Sequence, residues 1–208
     1  MNRSIYSVNL NFDKVATKPL AKGYRKIIPG PVRKGVSNFF NNLIVTPRSA
    51  INNFLQGKPG RGVSEIGRFV INSTIGVGGL IDIATPSGLE EYREDYGQTA
   101  AVWGVPDGPY VMLPFLGPHT LRDAILTPVD IVANPLFRYD NTSVRDKLYV
   151  LRLIDLRYRL LTADKFLDDS KDKYVTIRES YLQNREYEVY DGDPPVDDDF
   201  FDEFLEED

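Results

Sequence analysis

The side chains that could carry acid–base or nucleophilic chemistry are few in this sequence. Its 208 residues include one histidine, His119, and no cysteine, so a Ser-His or Cys-His nucleophile would depend on that single imidazole. No Gly-x-Ser-x-Gly turn is present to hold a catalytic serine, and His119, after Gly-Pro, is more typical of a helix cap or a surface residue. The adjacent carboxylates Glu94 and Asp95 favour a polar anchor or a helix cap over a catalytic pair. We therefore expect a protein that is not an enzyme.

Metal, nucleotide and nucleic-acid sites also lack their usual patterns. Arg93 interrupts the acidic run EEYRED, and no Asp-x-Asp-x-Asp-Gly calcium loop is present. The cluster GVGG at 76–79 lacks the glycine spacing of phosphate-binding loops, which indicates a tight turn with close packing. Basic charge is present, but no recognisable nucleic-acid-binding module accompanies it. We expect no metal, no cofactor and no nucleic-acid partner.

Charge is distributed unevenly along the chain. Residues 1–68 contain twelve Lys or Arg against two acids, whereas residues 191–208 contain ten acids and no base, so the net charge of −5 hides a basic first third. A basic segment with interspersed apolar residues suits an anionic partner such as lipid headgroups or nucleic acid, and an ordinary solvated surface is the alternative. The acidic end is typical of a solvated, disordered tail. We therefore expect one domain at 1–190 and a tail at 191–208.

The stretch from Tyr96 to Leu121 is apolar but cannot form one long helix. Its 26 residues contain a single formal charge, Asp107, together with four glycines and four prolines. It is long enough to cross a bilayer, but the prolines exclude the unbroken helix that a lipid-exposed crossing requires. Such a segment belongs either in a protein core or at a membrane surface. Trp103 lies within it, and Trp favours the boundary between hydrocarbon and water, although a buried core Trp is the alternative.

Hydrophobic periodicity predicts helices through most of the rest of the chain. Ser37, Ser64 and Ser143 are candidate N-caps, Pro47 interrupts the first pattern, and Gly57 is typical of a helix end. The helix predicted from Ser143 has an apolar stripe in which one residue, Asp155, is charged. The stripe consists of Val144, Leu148, Leu151, Asp155, Tyr158 and Leu161. No sustained alternation of apolar and polar residues predicts strands, so the expected fold class is all-α. The predicted elements are short helical pieces joined by turns at 2–34, and helices at 37–55, 63–75, 119–132, 143 to about 167, and 174–190.

Six long segments in a fixed order carry a resemblance to a known family. They are KPLAKGYRKIIPGPVRKGVSNFFNNL at 18–43, QGKPGRG at 56–62, GRFVINSTIGVGGLID at 67–82, EDYGQT at 94–99, WGVPDGPYVMLPFLGPHTLRD at 103–123 and IRESYLQNREYEVYDG at 177–192. Read in this order, they closely resemble the MlaA (VacJ) family of Gram-negative outer-membrane lipoproteins. The motifs are specific, and they cover most of the chain outside the acidic tail.

The resemblance implies a ring-shaped, all-helical fold inserted in the periplasmic leaflet of the outer membrane, with a central amphipathic channel. It implies a position beside a trimeric porin, removal of mislocalised phospholipid from the outer leaflet, and transfer of that lipid to the periplasmic carrier of the Mla pathway, which maintains lipid asymmetry. The family's export signal and lipidated cysteine are missing here. We expect the full-length protein to be lipid-anchored and this sequence to be truncated at its N-terminus.

Two sets of candidate site residues follow from these patterns. The broken apolar stretch is expected to form a membrane belt or channel wall, with Trp103, Val105, Pro106, Tyr110, Val111, Met112, Leu113, Pro114, Phe115 and Leu116. The segment SNFFNNL at 37–43 places two aromatic rings about 100° apart on a helix, next to uncharged amides. We expect a lipid channel or gate there, at Asn38, Phe39, Phe40, Asn41 and Asn42, with simple core packing as the alternative.

Two other functions remain open. One is a lipid-modifying enzyme of the phospholipase type, which would use His119 or the pair Glu94 and Asp95. The other is a purely structural scaffold associated with porins. Incubation with a defined phospholipid separates the enzyme from a conduit, because an enzyme releases lysolipid or fatty acid, whereas a conduit returns the lipid intact.

Overall fold

The computed structural model describes residues 1–195, over which the chain is predominantly helical, as predicted. Over these residues the elements, in order, are α1 (Asn2–Phe12), α2 (Lys18–Ile27), α3 (Gly30–Phe40), α4 (Thr46–Leu55), α5 (Pro59–Thr74), α6 (Tyr96–Val102), β1 (Tyr110–Leu113), β2 (Gly117–Thr120), α7 (Leu121–Ala133), α8 (Thr142–Arg159), α9 (Asp164–Asp169) and α10 (Lys173–Val189). Single 3₁₀ turns follow α7 at Pro135–Arg138 and α8 at Leu160–Thr162.

The first 55 residues form a nearly continuous helical path, which the sequence reasoning had divided into shorter pieces. π-helical segments at Asp13–Thr17 and Asn41–Val45 join α1 to α2 and α3 to α4. Each π segment ends two residues before a proline, Pro19 or Pro47. A proline ring collides with the carbonyl four residues earlier in a regular α-helix, and the wider π turn removes this collision. The expected interruption at Pro47 is therefore wrong, because the π segment carries the helix through it.

The predicted caps Ser37 and Ser64 are also wrong, since both residues lie inside helices. α3 begins at Gly30, seven residues before Ser37, and α5 begins at Pro59. The hydroxyl of Ser37 instead donates to both carboxylate oxygens of Asp155, at 2.9 Å each. Asp155, the charged residue on the α8 stripe, is fully buried.

Residues 110–120 form a β-hairpin, which is the exception to the predicted all-α class. β1 and β2 pair antiparallel. The backbone is left-handed at Phe115 in the turn between them, with φ of 62°, and at Gly117, the first residue of β2, with φ of 88°. His119 therefore lies in a strand, whereas the sequence placed it at the start of the helix at 119–132. The strands are only four residues long and contain Pro118, so the alternation that identifies a strand is too short to be seen in the sequence.

Two asparagines of α1 complete the free edge of β1. The Asn2 amide donates to the carbonyl of Tyr110 at 2.9 Å and accepts from the N–H of Met112 at 3.2 Å. Asn9, two turns later, donates to the carbonyl of Leu113 at 2.9 Å and accepts from the N–H of Phe115 at 2.8 Å. Side-chain amides thus take the place of a third strand.

The second half of the chain follows the predicted order with different boundaries. α7 ends at Ala133, one residue after the predicted end at 132. α8 is capped by Asn141 and not by Ser143, and it ends at Arg159, where the 3₁₀ turn separates it from α9. α10 matches its predicted position. Asp191, the first residue of the predicted tail, pairs with Lys58 at 2.7 Å and also with Arg61, while residues 196–208 lie outside the described residues.

The helical hairpin of α4 and α5 has its polar side inward. Its buried residues include Ser49, Asn52 and Asn53 of α4 and Glu65, Arg68 and Asn72 of α5. Its exposed residues include Ile51, Phe54 and Leu55 of α4 and Val63, Ile66, Phe69 and Val70 of α5. Both helices are amphipathic, but their apolar stripes face outward, the reverse of a helix on the surface of a water-soluble protein.

The same inversion extends over the described residues. Among residues 1–195, ten apolar residues are buried, four of them alanines, against eighteen polar or charged ones. A water-soluble domain buries mainly aliphatic and aromatic side chains, and it almost never buries an unpaired charge. The apolar core is small and centres on Phe40, Ile44 and Leu136. No helix within the described part of the chain is both long enough and apolar enough to cross a membrane.

Candidate functional site

The two aromatic rings of the predicted gate segment have different surroundings. Phe40 is only 1% exposed and packs with Ile44 and Leu136 in the apolar core. Phe39 is half-buried, packs edge-on against Phe40 with 5.3 Å between ring centroids, and borders an open apolar cavity of about 340 Å³. Phe40 is therefore a core residue, and Phe39 is the one of the pair that lies next to open space.

The asparagines of the same segment connect it to the turn that follows α5. Asn38 donates its amide to the carbonyl of Leu80 at 3.1 Å, and Asn42, which is buried, donates to the hydroxyl of Ser73 at 2.8 Å. Asn41 is half-buried at the start of the π segment. The segment is therefore fixed at two positions, and its widened helical turn lies between α3 and α4.

The glycines at 76–79 form the tight, closely packed turn that the sequence predicted. Gly78 and Gly79 have left-handed backbone, with φ of 68° and 87°. A Cβ at Gly79 would lie 2.7 Å from the Cβ of Asn42, closer than two carbon atoms approach. Glycine is thus needed there for the backbone angle and for the contact with the π segment.

The predicted belt residues lie mostly on the surface. Six are exposed (Trp103, Val105, Pro106, Pro114, Phe115 and Leu116), three are half-buried (Tyr110, Val111 and Leu113), and Met112 is buried. Trp103 is 63% exposed, and its indole N–H donates to the carbonyl of Leu55 at 3.1 Å. With its polar group satisfied by the backbone, its apolar ring faces outward beside the exposed apolar side of α4.

The polar interior is organised around Arg185 of α10. Its guanidinium donates to both oxygens of Asp95, at 2.8 Å each, and to Asp123 at 2.9 Å. Burial alone would lower the pKa of Arg185, but the two carboxylates outweigh it and raise that pKa. Tyr181 donates its hydroxyl to Asp123 at 2.7 Å. A Cβ at Gly97 would lie 2.2 Å from Asp123, so the glycine of the EDYGQT motif makes room for this network.

The side chains that could have served catalysis have structural contacts. Asp95 caps α6 by accepting from the N–H of Gln98 at 2.8 Å, as predicted for this pair of carboxylates. Glu94 is 3% exposed and accepts from the amide of Gln56 at 2.7 Å. His119 is half-buried, and its Nδ1 lies 3.3 Å from a backbone carbonyl two residues earlier.

Among the described residues, Glu65 is the buried carboxylate with the fewest compensating contacts. It is fully buried on the inner side of α5, and its Oε1 accepts from the N–H of Tyr92 at 2.6 Å. Its Oε2 is buried without a hydrogen-bond partner. Burial raises the pKa of Glu65 to about 7, against the smaller opposing effects of that backbone N–H and of Arg68.

Two cavities of opposite character adjoin along one face of α10. An apolar cavity of about 480 Å³ is lined by Leu10, Met112, Phe166, Leu167 and Ile177, among others. A polar cavity of about 360 Å³ is lined by Arg48, Thr127, Asp130, Asn184 and Glu188, among others. Pro118 of β2 borders both. The arrangement places an apolar compartment directly beside a polar one, as an amphipathic ligand requires.

Two arginines near these cavities were missed by sequence reasoning. Arg48 of α4 pairs with Asp130 of α7 through one contact of 3.2 Å, and its Nε is buried without a partner. Arg152 of α8 is half-buried in a further apolar cavity of about 540 Å³. Arg152 lies four residues after Leu148, at the edge of the predicted apolar stripe of α8. A charged residue at that position is the feature of the sequence that could have identified it.

Comparison with known proteins gives a consistent result. A family model described as MlaA lipoprotein matches residues 1–188. The "Intermembrane phospholipid transport system lipoprotein MlaA" of Escherichia coli (strain K12) is 35% identical over 196 residues, which cover 92% of this chain and 77% of that protein. The protein of the same name from Haemophilus influenzae is 32% identical over 197 residues, 92% of this chain and 78% of that protein.

A solved structure is similar over nearly the same length. It is described as "Structural basis for maintenance of bacterial outer membrane lipid asymmetry", and it superposes with a TM-score of 0.77 at 36% identity. The similarity covers 90% of this chain and 96% of that chain.

Proposed function

The chain belongs to the MlaA lipoprotein family, and from this premise we propose that it removes mislocalised phospholipid from the outer leaflet of the outer membrane and passes it to a periplasmic lipid carrier. It acts as an outer-membrane lipoprotein of an intermembrane phospholipid transport system, and it maintains lipid asymmetry. Its chemistry is binding and release of intact lipid, without cleavage of a bond.

The observation that carries this proposal is the inverted distribution of side chains. Apolar residues of α4, α5 and the belt face outward, while charged and amide side chains are buried. Exposed apolar surface of this extent marks a membrane or protein contact. A protein that inserts its apolar side into one leaflet needs no spanning helix, and its interior stays polar enough to admit a headgroup.

The adjoining cavities along α10 support a route for the lipid. Acyl chains resist entering water by ~0.8 kcal/mol per CH₂, so a passage must keep them against apolar walls. The cavity at Met112 and Ile177 offers such walls, and the polar cavity beyond Pro118 offers partners for a headgroup. In this proposal the protein is a passive conduit. The lipid gradient and the carrier set the direction of transport.

The finer arrangement is proposed from the family. The protein forms a ring in the periplasmic leaflet beside a trimeric porin, with the belt around Trp103 and Phe115 in contact with acyl chains. Lipids brominated along their chains should quench the fluorescence of Trp103, the single tryptophan of the chain. The control is a brominated compound that stays in the aqueous phase. If the brominated lipids quench Trp103 no more strongly than this compound does, Trp103 does not contact the bilayer.

The central experiment measures lipid transfer in a defined system. Liposomes that contain the protein, a porin trimer and labelled phosphatidylethanolamine are mixed with the soluble carrier, and the lipid on the carrier is identified by mass spectrometry. We expect intact phospholipid on the carrier only when the protein is present. No transfer despite stable association with the porin would support a scaffold and overturn the proposal.

The same reaction tests the enzymatic alternative. Lysophospholipid or fatty acid among the products would support a phospholipase-like enzyme. His119→Ala and Glu94→Gln are the matched variants, because they remove the side chains such an enzyme would use. Intact lipid in the wild type and in both variants is the outcome expected for a conduit.

A further inference from the structure

Arg152 differs from the other arginines inside this protein. Every other buried or half-buried arginine within residues 1–195 donates to a carboxylate or to a backbone carbonyl, as Arg157, Arg159 and Arg185 do. Arg152 has no hydrogen bond or ion pair to any described residue, and burial, followed by repulsion from Arg48, lowers its pKa. Its guanidinium is half-buried in a cavity with mainly apolar walls, where a charge is less well solvated than in bulk water, which indicates that an anionic group from outside the chain completes the site.

The cavity around Arg152 has the composition of a lipid site. Its walls come mainly from apolar side chains of α7, α8, the hairpin turn and the 3₁₀ turn after α7, including Leu116, Ile131, Phe137 and Leu156. Its volume is about 540 Å³, within the range of roughly 300–1,000 Å³ that is typical of ligand cavities. Arg145 and Asp146 also line it and pair with each other at 3.1 Å, so Arg152 is the lining cation that has no partner among the described residues. Such a cavity suits a ligand with an anionic group and a hydrocarbon chain.

A second cation, Arg48 of α4, acts on Arg152 from a neighbouring cavity. Its charge lowers the pKa of Arg152. The polar cavity at Arg48 reaches α7 at Thr127 and Asp130, and the Arg152 cavity reaches Ile131 of α7 and Asn134, the residue after the helix. Residues four apart lie one turn apart on the same side of a helix, so the two cavities follow each other along one side of α7, with one arginine in each.

We propose that Arg152, assisted by Arg48, binds the phosphodiester of a glycerophospholipid, with an acyl chain along the apolar wall between α7 and α8. The planar guanidinium donates two parallel hydrogen bonds to two phosphate oxygens. Arg48, which lines the neighbouring polar cavity, assists through its charge, because an anion near both cations relieves their repulsion. This site deepens the proposed function, on which it rests, by naming the lipid group that the protein holds.

The test measures binding by the purified protein in non-ionic detergent. Calorimetric titrations use dihexanoyl phosphatidylglycerol, dihexanoylglycerol, which lacks the phosphate, and inorganic phosphate. We expect Arg152→Gln to bind the phospholipid about tenfold more weakly, and Arg152→Lys to recover part of that loss, because it keeps the charge without the planar fork. Binding of dihexanoylglycerol should be equal in the wild type and in both variants.

Lys147→Gln is the matched control. Lys147 lies on the same helix and is exposed, so the variant removes the same charge outside the cavity and should bind as the wild type does. Equal losses in Lys147→Gln and Arg152→Gln would overturn the proposal, as would unchanged binding in Arg152→Gln. Inorganic phosphate that binds the wild type as tightly as the phospholipid would overturn the role of the apolar wall.

Thermal unfolding without lipid separates a ligand site from a structural one. Because Arg152 has no partner within the described residues, Arg152→Gln should unfold at the same temperature as the wild type or at a higher one. A lower unfolding temperature in both Arg152 variants would mark a structural residue and overturn the proposal. If the wild type transfers lipid and Arg152→Gln binds phospholipid as the wild type does, the inference about Arg152 is overturned and the proposed function stands. The absence of both transfer and binding in the wild type would remove the proposed function as well.

Discussion

Arg185 holds two carboxylates that would otherwise repel each other inside the protein. Breaking a buried ion pair by removing one partner typically costs about 3–5 kcal/mol, because the remaining charge stays buried. Lysine keeps the charge of Arg185 but cannot donate to both oxygens of Asp95 and to Asp123 together. We therefore expect Arg185→Lys to lower the unfolding temperature in detergent by several degrees or more.

Arg178→Lys is the control for this variant. Arg178 lies on the same helix and pairs with Glu179 at the surface, where an ion pair contributes about 0–1 kcal/mol. The Arg178 variant should unfold close to the wild type. Similar unfolding temperatures for the two variants would show that the Arg185 network contributes no more than a surface pair.

Glu65 should make stability depend on pH. The native state keeps this carboxyl protonated up to a pKa of about 7, whereas the unfolded chain releases the proton near its ordinary value of about 4.3. The free energy of unfolding therefore falls as pH rises through this window and levels off above pH 7, by an amount on the order of 3–4 kcal/mol. Glu65→Gln keeps the hydrogen bond from Tyr92 and removes the ionisation, so it should stabilise the protein at pH 8 and change little at pH 4.5.

The measurement is the unfolding temperature at pH 4.5 and at pH 8 in the same detergent. Glu186→Gln is the matched control, because Glu186 is exposed on α10 and its replacement removes the same charge. Equal pH dependence of the wild type and of Glu65→Gln would contradict the assignment of this effect to Glu65.

The π segments at 13–17 and 41–45 explain how prolines occur within long helices. A π turn contains one more residue than an α turn, so deletion of Asn41 should restore a regular helix from α3 into α4. That helix would meet the ring of Pro47 in its interior, at a cost of about 3 kcal/mol. We expect the deletion to lower the unfolding temperature, and Pro47→Ala to recover most of the loss when the two changes are combined.

The same pair of changes tests the gate hypothesis at 38–42. The outer-leaflet phospholipid content of cells that carry the combined variant should change if the width of this turn controls lipid passage. An unchanged content in a variant that folds normally would leave Phe39 and its neighbours as packing residues. Failure of Pro47→Ala to recover stability would contradict the explanation of the π segment.

At the scale of the molecule, the acidic end begins beside the basic first third. Asp191 pairs with Lys58 and Arg61, so a useful truncation must begin after it. Removal of residues 194–208 deletes eight of the ten acids of the tail and keeps these pairs. We expect the truncated protein to associate more slowly with a carrier that presents a basic face, because charges steer association.

A salt series checks this prediction. The difference between the two proteins should vanish at 1 M salt, where the Debye length is ~3 Å. A full-length variant in which the eight acids are replaced by their amides controls for the length of the tail, and it should behave as the truncated protein does. Identical association rates for all three proteins at low salt would leave the tail without a role in steering.

Local patterns in the sequence predicted the elements that depend on nearby residues. α10, the end of α4 near Gly57 and the turn at 76–79 follow from capping, spacing and glycine conformation. The hairpin and the role of Ser37 depend on partners more than 100 residues away: Asn2 and Asn9 for β1, and Asp155 for Ser37. Neither could be found by periodicity.

Periodicity also could not predict which helical faces point inward and which point outward. An apolar stripe such as Ile66, Phe69 and Val70 recurs at the same spacing whether it faces a core or lipid. The candidate site shows the same division. The exposed belt follows from composition, whereas the contacts of Arg48, Arg152 and Arg185 depend on helices that are distant in the sequence.

The polar interior also bears on how this protein responds to temperature. Exposure of apolar surface on unfolding raises the heat capacity, and exposure of polar surface lowers it. Unfolding in detergent releases an interior of amides, hydroxyls and paired charges, while detergent still covers much of the apolar surface. The heat-capacity increment should therefore be smaller than that of a water-soluble domain of this length, and the curve of stability against temperature should be correspondingly shallow, with cold denaturation displaced further below freezing.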